Sequence, residues 1–153
     1  MANLIQLAFT LISISALKRF GRKQLILVGN LTLGIFDVII SVMFLIILLI
    51  DWQPAIYIVL AFIFLFMMSY GITIGPAIWL YVPEIIPPKL VPWATCMNWL
   101  GCSICIIATP FIVEGAGSPY PVFLGFGVLT IMFFICNFKM LVESKGRTRK
   151  ELL

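Results

Sequence analysis

Leu25–Ile50 reads LILVGNLTLGIFDVIISVMFLIILLI, an unbroken apolar run whose single charge is Asp37. As a helix this run is about 39 Å long, and a bilayer's hydrocarbon core is about 30 Å thick. Backbone N–H and C=O groups find no water there, so such a run crosses as a helix that satisfies them internally. Outward from it lie four more apolar stretches: Leu4–Leu17, Pro54–Val82, Trp93–Val113 and Tyr120–Val142. The last three are also long enough to span. The first reaches only about 21 Å as a helix and reads as the second half of a longer one. No basic segment precedes it and no small-residue cleavage site follows it, so it is a poor signal peptide. The expected fold class is all-α: a polytopic transmembrane helical bundle and a single membrane domain over residues 1–153. Its helices are expected near residues 4–17, 25–50, 54–82, 93–113 and 120–142, with a tail at 143–153. Strand-period alternation is absent, which argues against a membrane β-barrel.

Composition excludes other classes. Of 153 residues, 63% are hydrophobic and 10% charged, whereas soluble domains are about half apolar and a quarter charged. A disordered chain needs the opposite balance. The absence of His removes His-ligated metals, His-ligated haem and His-based triads. With no nucleophile–base pair and no metal set, an enzyme is not expected, and neither a metal nor a cofactor is implied.

The net charge of +4 is a topology signal. Lys18, Arg19, Arg22 and Lys23 fill the first loop, Lys89 the third, and Lys139, Lys145, Arg147, Arg149 and Lys150 the tail. The second and fourth loops carry only Asp51 and Glu114. All ten basic residues therefore fall on one side of an alternating topology. The positive-inside rule makes that side, with the C-terminus, cytoplasmic. Nothing resembles a nucleic-acid patch.

Four features bear on chemistry. Cys102 and Cys105 have C-x-x-C spacing but sit inside an apolar helix without further ligands, where Cys acts as a small hydrophobe. Asp37, at mid-helix, is a candidate intramembrane proton site, because ionisable residues at membrane depth are costly; a structural Asp reads the same way. Gly75-Pro76-Ala77-Ile78-Trp79 combines a kinking proline, a flexible glycine and an aromatic face one turn on. Kinked helices at mid-membrane line substrate cavities, and a Trp face suits the C–H face of a sugar ring; a packing kink with an interfacial Trp is the other reading. Asn98-Trp99 opens the next helix similarly. An Asn amide there serves either paired hydroxyls or a helix–helix hydrogen bond.

Three motifs give these residues a family context. Lys18-Arg19-Phe20-Gly21-Arg22-Lys23 resembles acid-Arg-x-Gly-Arg-Arg, with Lys18 in the acid's place. Gly75-Pro76-x-x-Trp79 followed by Glu84 resembles a Gly-Pro-x-x-Trp…Glu helix, with Pro83 where a small residue is usual. Val142-Glu143-Ser144-Lys145-Gly146-Arg147 resembles Pro-Glu-Thr-Lys-Gly-Arg, with Val142 and Ser144 as departures. In this order the chain resembles the C-terminal part of the sugar porter branch of the major facilitator superfamily, from the end of the eighth helix to the twelfth.

The resemblance implies transport of a hexose-like neutral polyol by alternating access between two helical bundles. Trp79, Asn98, Trp99, Gly75 and Pro76 would form the C-terminal wall of the sugar site, with Cys102 where the family has a further Asn. Arg19, Gly21, Arg22, Glu84, Glu143 and Arg147 would form an ion-paired cytoplasmic gate. The partners implied are a neutral sugar, the bilayer, and an N-terminal helical bundle on the same longer chain or on another chain. The alternative is a transport-inactive structural or accessory subunit of a membrane complex, derived from a sugar porter.

Overall fold

The computed structural model describes residues 9, 13, 15–17 and 19–146. Most of the Leu4–Leu17 stretch, Lys18, and the tail from Arg147 onward lie outside them. All the regular elements described are helical: α1 (Arg22–Ile50), α2 (Ala55–Ile72), α3 (Ile74–Ile85), a 3₁₀ turn (Pro88–Leu90), α4 (Val91–Ala116) and α5 (Tyr120–Met140). Four spans, Arg22–Ile50, Ala55–Ile85, Pro88–Ala116 and Tyr120–Met140, are long and apolar enough to cross a membrane.

The stretch expected as one helix over 54–82 is two. α2 ends at Ile72, Thr73 takes φ −107° and ψ −91°, and α3 begins at Ile74. Pro76 is the cause, but it acts one turn upstream of itself. It has no N–H for the carbonyl of Ile72, and its ring clashes with that same oxygen. The Thr73 hydroxyl turns back to donate to the Ser69 carbonyl at 2.6 Å, which keeps a buried polar group satisfied at the break. α3 also runs past Val82, taking Pro83 and Glu84 into its last turn.

α1 is the centre of the packing and lies mainly against α5 and α2. It meets α5 at a close backbone approach. A Cβ built on Gly127 would lie 2.9 Å from Val38 Cγ2 and 3.2 Å from the Val38 nitrogen, so only glycine lets the helices come together here. Phe44 stacks on Phe123 at 5.7 Å, and the Ser41 hydroxyl donates to the Tyr120 carbonyl at 2.8 Å. On the α2 side, Phe36 meets Phe62 edge-on at 5.7 Å, and the Thr32 and Ser69 hydroxyls share a hydrogen bond of 3.0 Å. α4 is different: none of its residues is buried, and its main contacts among the described residues are with α5, α3 and the preceding turn. Its apolar surface therefore needs lipid or other helices to cover it.

Candidate functional site

The clearest polar arrangement lies at the basic end, where α1 starts, α3 stops and the chain leaves α5. The Arg22 guanidinium pairs with Glu84 Oε1 at 3.1 Å. The Ser144 hydroxyl donates to the other Glu84 oxygen at 2.5 Å. Both Glu84 oxygens are thus engaged, one by α1 and one by the segment after α5. The pair is partly exposed, at 22% and 32% for the two side chains, so water weakens its Coulomb energy.

Glu143 caps α1 from across the chain. The α1 N-cap is Gly21, which has no side chain to accept from the open N–H groups of the first turn. The Glu143 carboxylate accepts from the Arg22 backbone N–H at 2.9 Å and from the Lys145 N–H at 3.1 Å. A carboxylate at this place replaces the missing cap and sits at the positive end of the helix dipole. Gly21 makes room for it, because a Cβ there would overlap the Glu143 carboxylate.

The segment after α5 is fastened at two further points. Lys145 donates through Nζ to the Arg19 carbonyl at 3.1 Å. Tyr81 binds Val142 twice: its hydroxyl donates to the Val142 carbonyl at 3.0 Å and accepts from the Val142 N–H at 3.1 Å. Residues 141–145 thus form a strap across the start of α1 and the end of α3.

Of the charges expected here, the structure brings together Arg22, Glu84 and Glu143, with Gly21 between them. Only Arg22–Glu84 is an ion pair among the described residues. Arg19 contributes its carbonyl, and its guanidinium rests over the Phe20 ring at 5.9 Å. Arg147 lies outside the described residues. Tyr81 and Ser144 were not singled out as strap contacts by sequence. Val142 was the available signal, since it supplies an N–H where the motif carries a proline.

The residues expected to face sugar lie on α3 and α4. Trp79 and Trp99 are 49% and 62% exposed, and Asn98 is exposed. None of the three makes a side-chain hydrogen bond among the described residues, so the Asn98 amide is open to a ligand or to another helix. Pro83 withdraws the N–H that would close onto the Trp79 carbonyl. Gly75 lies under Tyr70, where a Cβ would come within 3.1 Å of the Tyr70 carbonyl oxygen. α3 and α4 make only slight contact, so these side chains line an open surface. A cavity of about 420 Å³ lies elsewhere, lined by Phe20, Gln24, Leu25, Leu27 and Val28. Asp37 is buried in the α1–α5 seam beside Gly127 and has no ion-pair partner among the described residues. No group of three or more His, Cys, Asp or Glu side chains converges among the described residues, and Cys96, Cys102, Cys105 and Cys136 are free thiols.

The "Sugar (and other) transporter" family model matches residues 2–152. The chain is 34% identical to the human solute carrier family 2, facilitated glucose transporter member 4, over 96% of its own length and 29% of that protein's. It is 27% identical to the putative metabolite transport protein YwtG of Bacillus subtilis, over 97% of its own length and 33% of that protein's. Its fold superposes on the inward-open xylose transporter XylE of E. coli with a TM-score of 0.82 at 22% identity, covering 99% of this chain and 33% of that one. The chain thus spans about a third of the length of each of these proteins. With its apolar spans and its partial major facilitator fold it is an integral, multi-pass membrane protein, and it belongs to the sugar (and other) transporter family.

Proposed function

We propose that this chain supplies the C-terminal wall and the cytoplasmic gate of a sugar transporter. It works by alternating access against an N-terminal helical bundle carried on the same longer chain or on another. The observation that carries this reading is the convergence of three distant motifs in one strap, with Arg22, Glu84 and Glu143 joined around the start of α1. Closing that end holds a central site open to the other side of the membrane, and parting the strap reverses the access. The basic side is the cytoplasmic one, as the distribution of Lys and Arg supports.

The substrate is a neutral, hexose-like sugar. Trp79 and Trp99 offer aromatic faces to its C–H surface, Asn98 offers donors and an acceptor to paired hydroxyls, and the segments 75–79 and 98–99 carry no charge. Gly75 and Pro76 set the position of Trp79 by breaking the helix before it. Asp37, a buried acid without a basic partner among the described residues, is the candidate proton site if uptake is proton-linked.

The test is uptake of labelled glucose and xylose by vesicles holding the protein expressed from its complete coding sequence. Saturable uptake is expected, with Trp79→Ala and Asn98→Ala each raising KM about tenfold while expression is unchanged. Unaltered kinetics in both variants would reject the site. No uptake by the wild type would favour the transport-inactive accessory subunit.

A further inference from the structure

We infer that Tyr81 is a positioning residue of the strap: a phenol clip that ties the end of α5 to α3 and holds the basic end of the molecule closed. The inference deepens the gate proposed above and rests on that reading for its transport consequence. Val142 follows the end of α5, where backbone groups no longer have helical partners; the last helical-type bond is from the Leu141 N–H to the Asn137 carbonyl. Tyr81 satisfies both orphaned groups of Val142 with one hydroxyl, as donor at 3.0 Å and acceptor at 3.1 Å. Its ring packs with Leu141 and Ala16 on the cluster of Leu17, Leu25, Ile26 and Ala77. One side chain on α3 is therefore bonded to the strap and belongs to an apolar cluster shared by the residues before α1, α1 itself and the end of α5.

The pairing depends on the residue at position 142. Where the motif carries proline at the first strap position there is no N–H to donate, so the second bond cannot form. Here Val142 provides the N–H and position 81 provides the hydroxyl. The clip sits two residues beyond Trp79 on the same helix and three before Glu84, so α3 cannot shift relative to the strap without breaking it. Among the described residues the Tyr81 hydroxyl bonds Val142 and not the Arg22–Glu84 pair; it acts by fixing where Glu143 and Ser144 stand.

The experiment uses membranes containing the protein from its complete coding sequence. Trypsin is admitted to the basic side, and cleavage after Lys145, which is exposed, is followed by mass spectrometry. Tyr81→Phe keeps the ring and removes both bonds, and cleavage is expected to quicken about tenfold. Val142→Pro removes only the N–H and suits the extended Leu141 that precedes it, so a rise of about threefold is expected, with no further rise when it is added to Tyr81→Phe. Apparent KM for external sugar should rise about threefold in Tyr81→Phe, because a loosened basic end favours the inward-open state. Unchanged cleavage in both variants overturns the clip. Faster cleavage with unchanged KM overturns its role in the gate and leaves a structural tie. Faster cleavage in a protein with no saturable uptake upholds the clip and rejects the transport reading instead.

Discussion

Gly21 and Glu143 occupy positions that exclude a side chain on the first: a Cβ on Gly21 would overlap the carboxylate that accepts from the Arg22 N–H. The residue that cannot cap its own helix is the one that admits a cap reaching the Arg22 N–H from 121 positions along the chain.

Gly21→Ala should therefore push Glu143 off the start of α1. The expected loss is about 1 kcal/mol, the usual worth of an N-cap. Thermal unfolding of the detergent-solubilised protein should show a lower midpoint. Gly125→Ala, at a helical glycine with nothing within 4 Å, is the matched control and should be neutral or slightly stabilising.

Glu84→Gln removes the ion pair with Arg22 but keeps a group that can accept from Ser144. For a partly exposed pair the stability change is at most about 1 kcal/mol, so the readout is access. Thiol labelling of a cysteine placed on the basic side should speed up severalfold, and high salt should narrow the gap between variant and wild type by weakening the pair in the latter. Equal labelling at all salt concentrations would count against the pair as a latch.

Gly127→Val should separate α1 from α5. Its Cβ would meet both the Val38 side chain and its backbone nitrogen, and the backbone cannot swing aside as a side-chain tip can. Overpacking of this kind costs about 1–3 kcal/mol. Folded yield and resistance to SDS should fall, whereas Gly125→Val on the same helix should be tolerated.

Pro76→Ala restores an N–H opposite the Ile72 carbonyl. The break at Thr73 should close toward continuous helix and carry Trp79 with it. Spin labels on α2 and α3 should report a straighter segment, and in the proposed transporter uptake should fall about tenfold with the protein still folded. An unchanged label distance would show that Thr73 breaks the helix by itself.

The spans from Arg22 onward were legible because lipid imposes a local rule: a long apolar run must be helical. The break was legible in kind but not in place. Pro76 announces a kink, yet the disruption lies at the carbonyl four residues back, so the turn forms at Thr73. Arg22 and Glu84 were legible through the motif, and their meeting across 62 positions was not visible in any periodicity. Arg19 reads as a partner for an acid by its motif, but here its guanidinium lies on Phe20. Tyr81 was missed because its partners are backbone atoms of Val142, and a residue's identity says little about which main-chain groups a fold will leave open.

The cap on α1 has a consequence for the order of synthesis. Its donor N–H belongs to Arg22 and its acceptor to Glu143, and a ribosome adding roughly 5–20 residues per second separates them by on the order of ten seconds. Throughout that interval the first turn of α1 stands at the membrane surface with its amides uncapped by protein, while α2 to α5 are still being inserted. The basic end is therefore the last part of this bundle to set, and a ribosome that stopped before residue 143 would leave the Arg22–Glu84 pair without the strap that braces it.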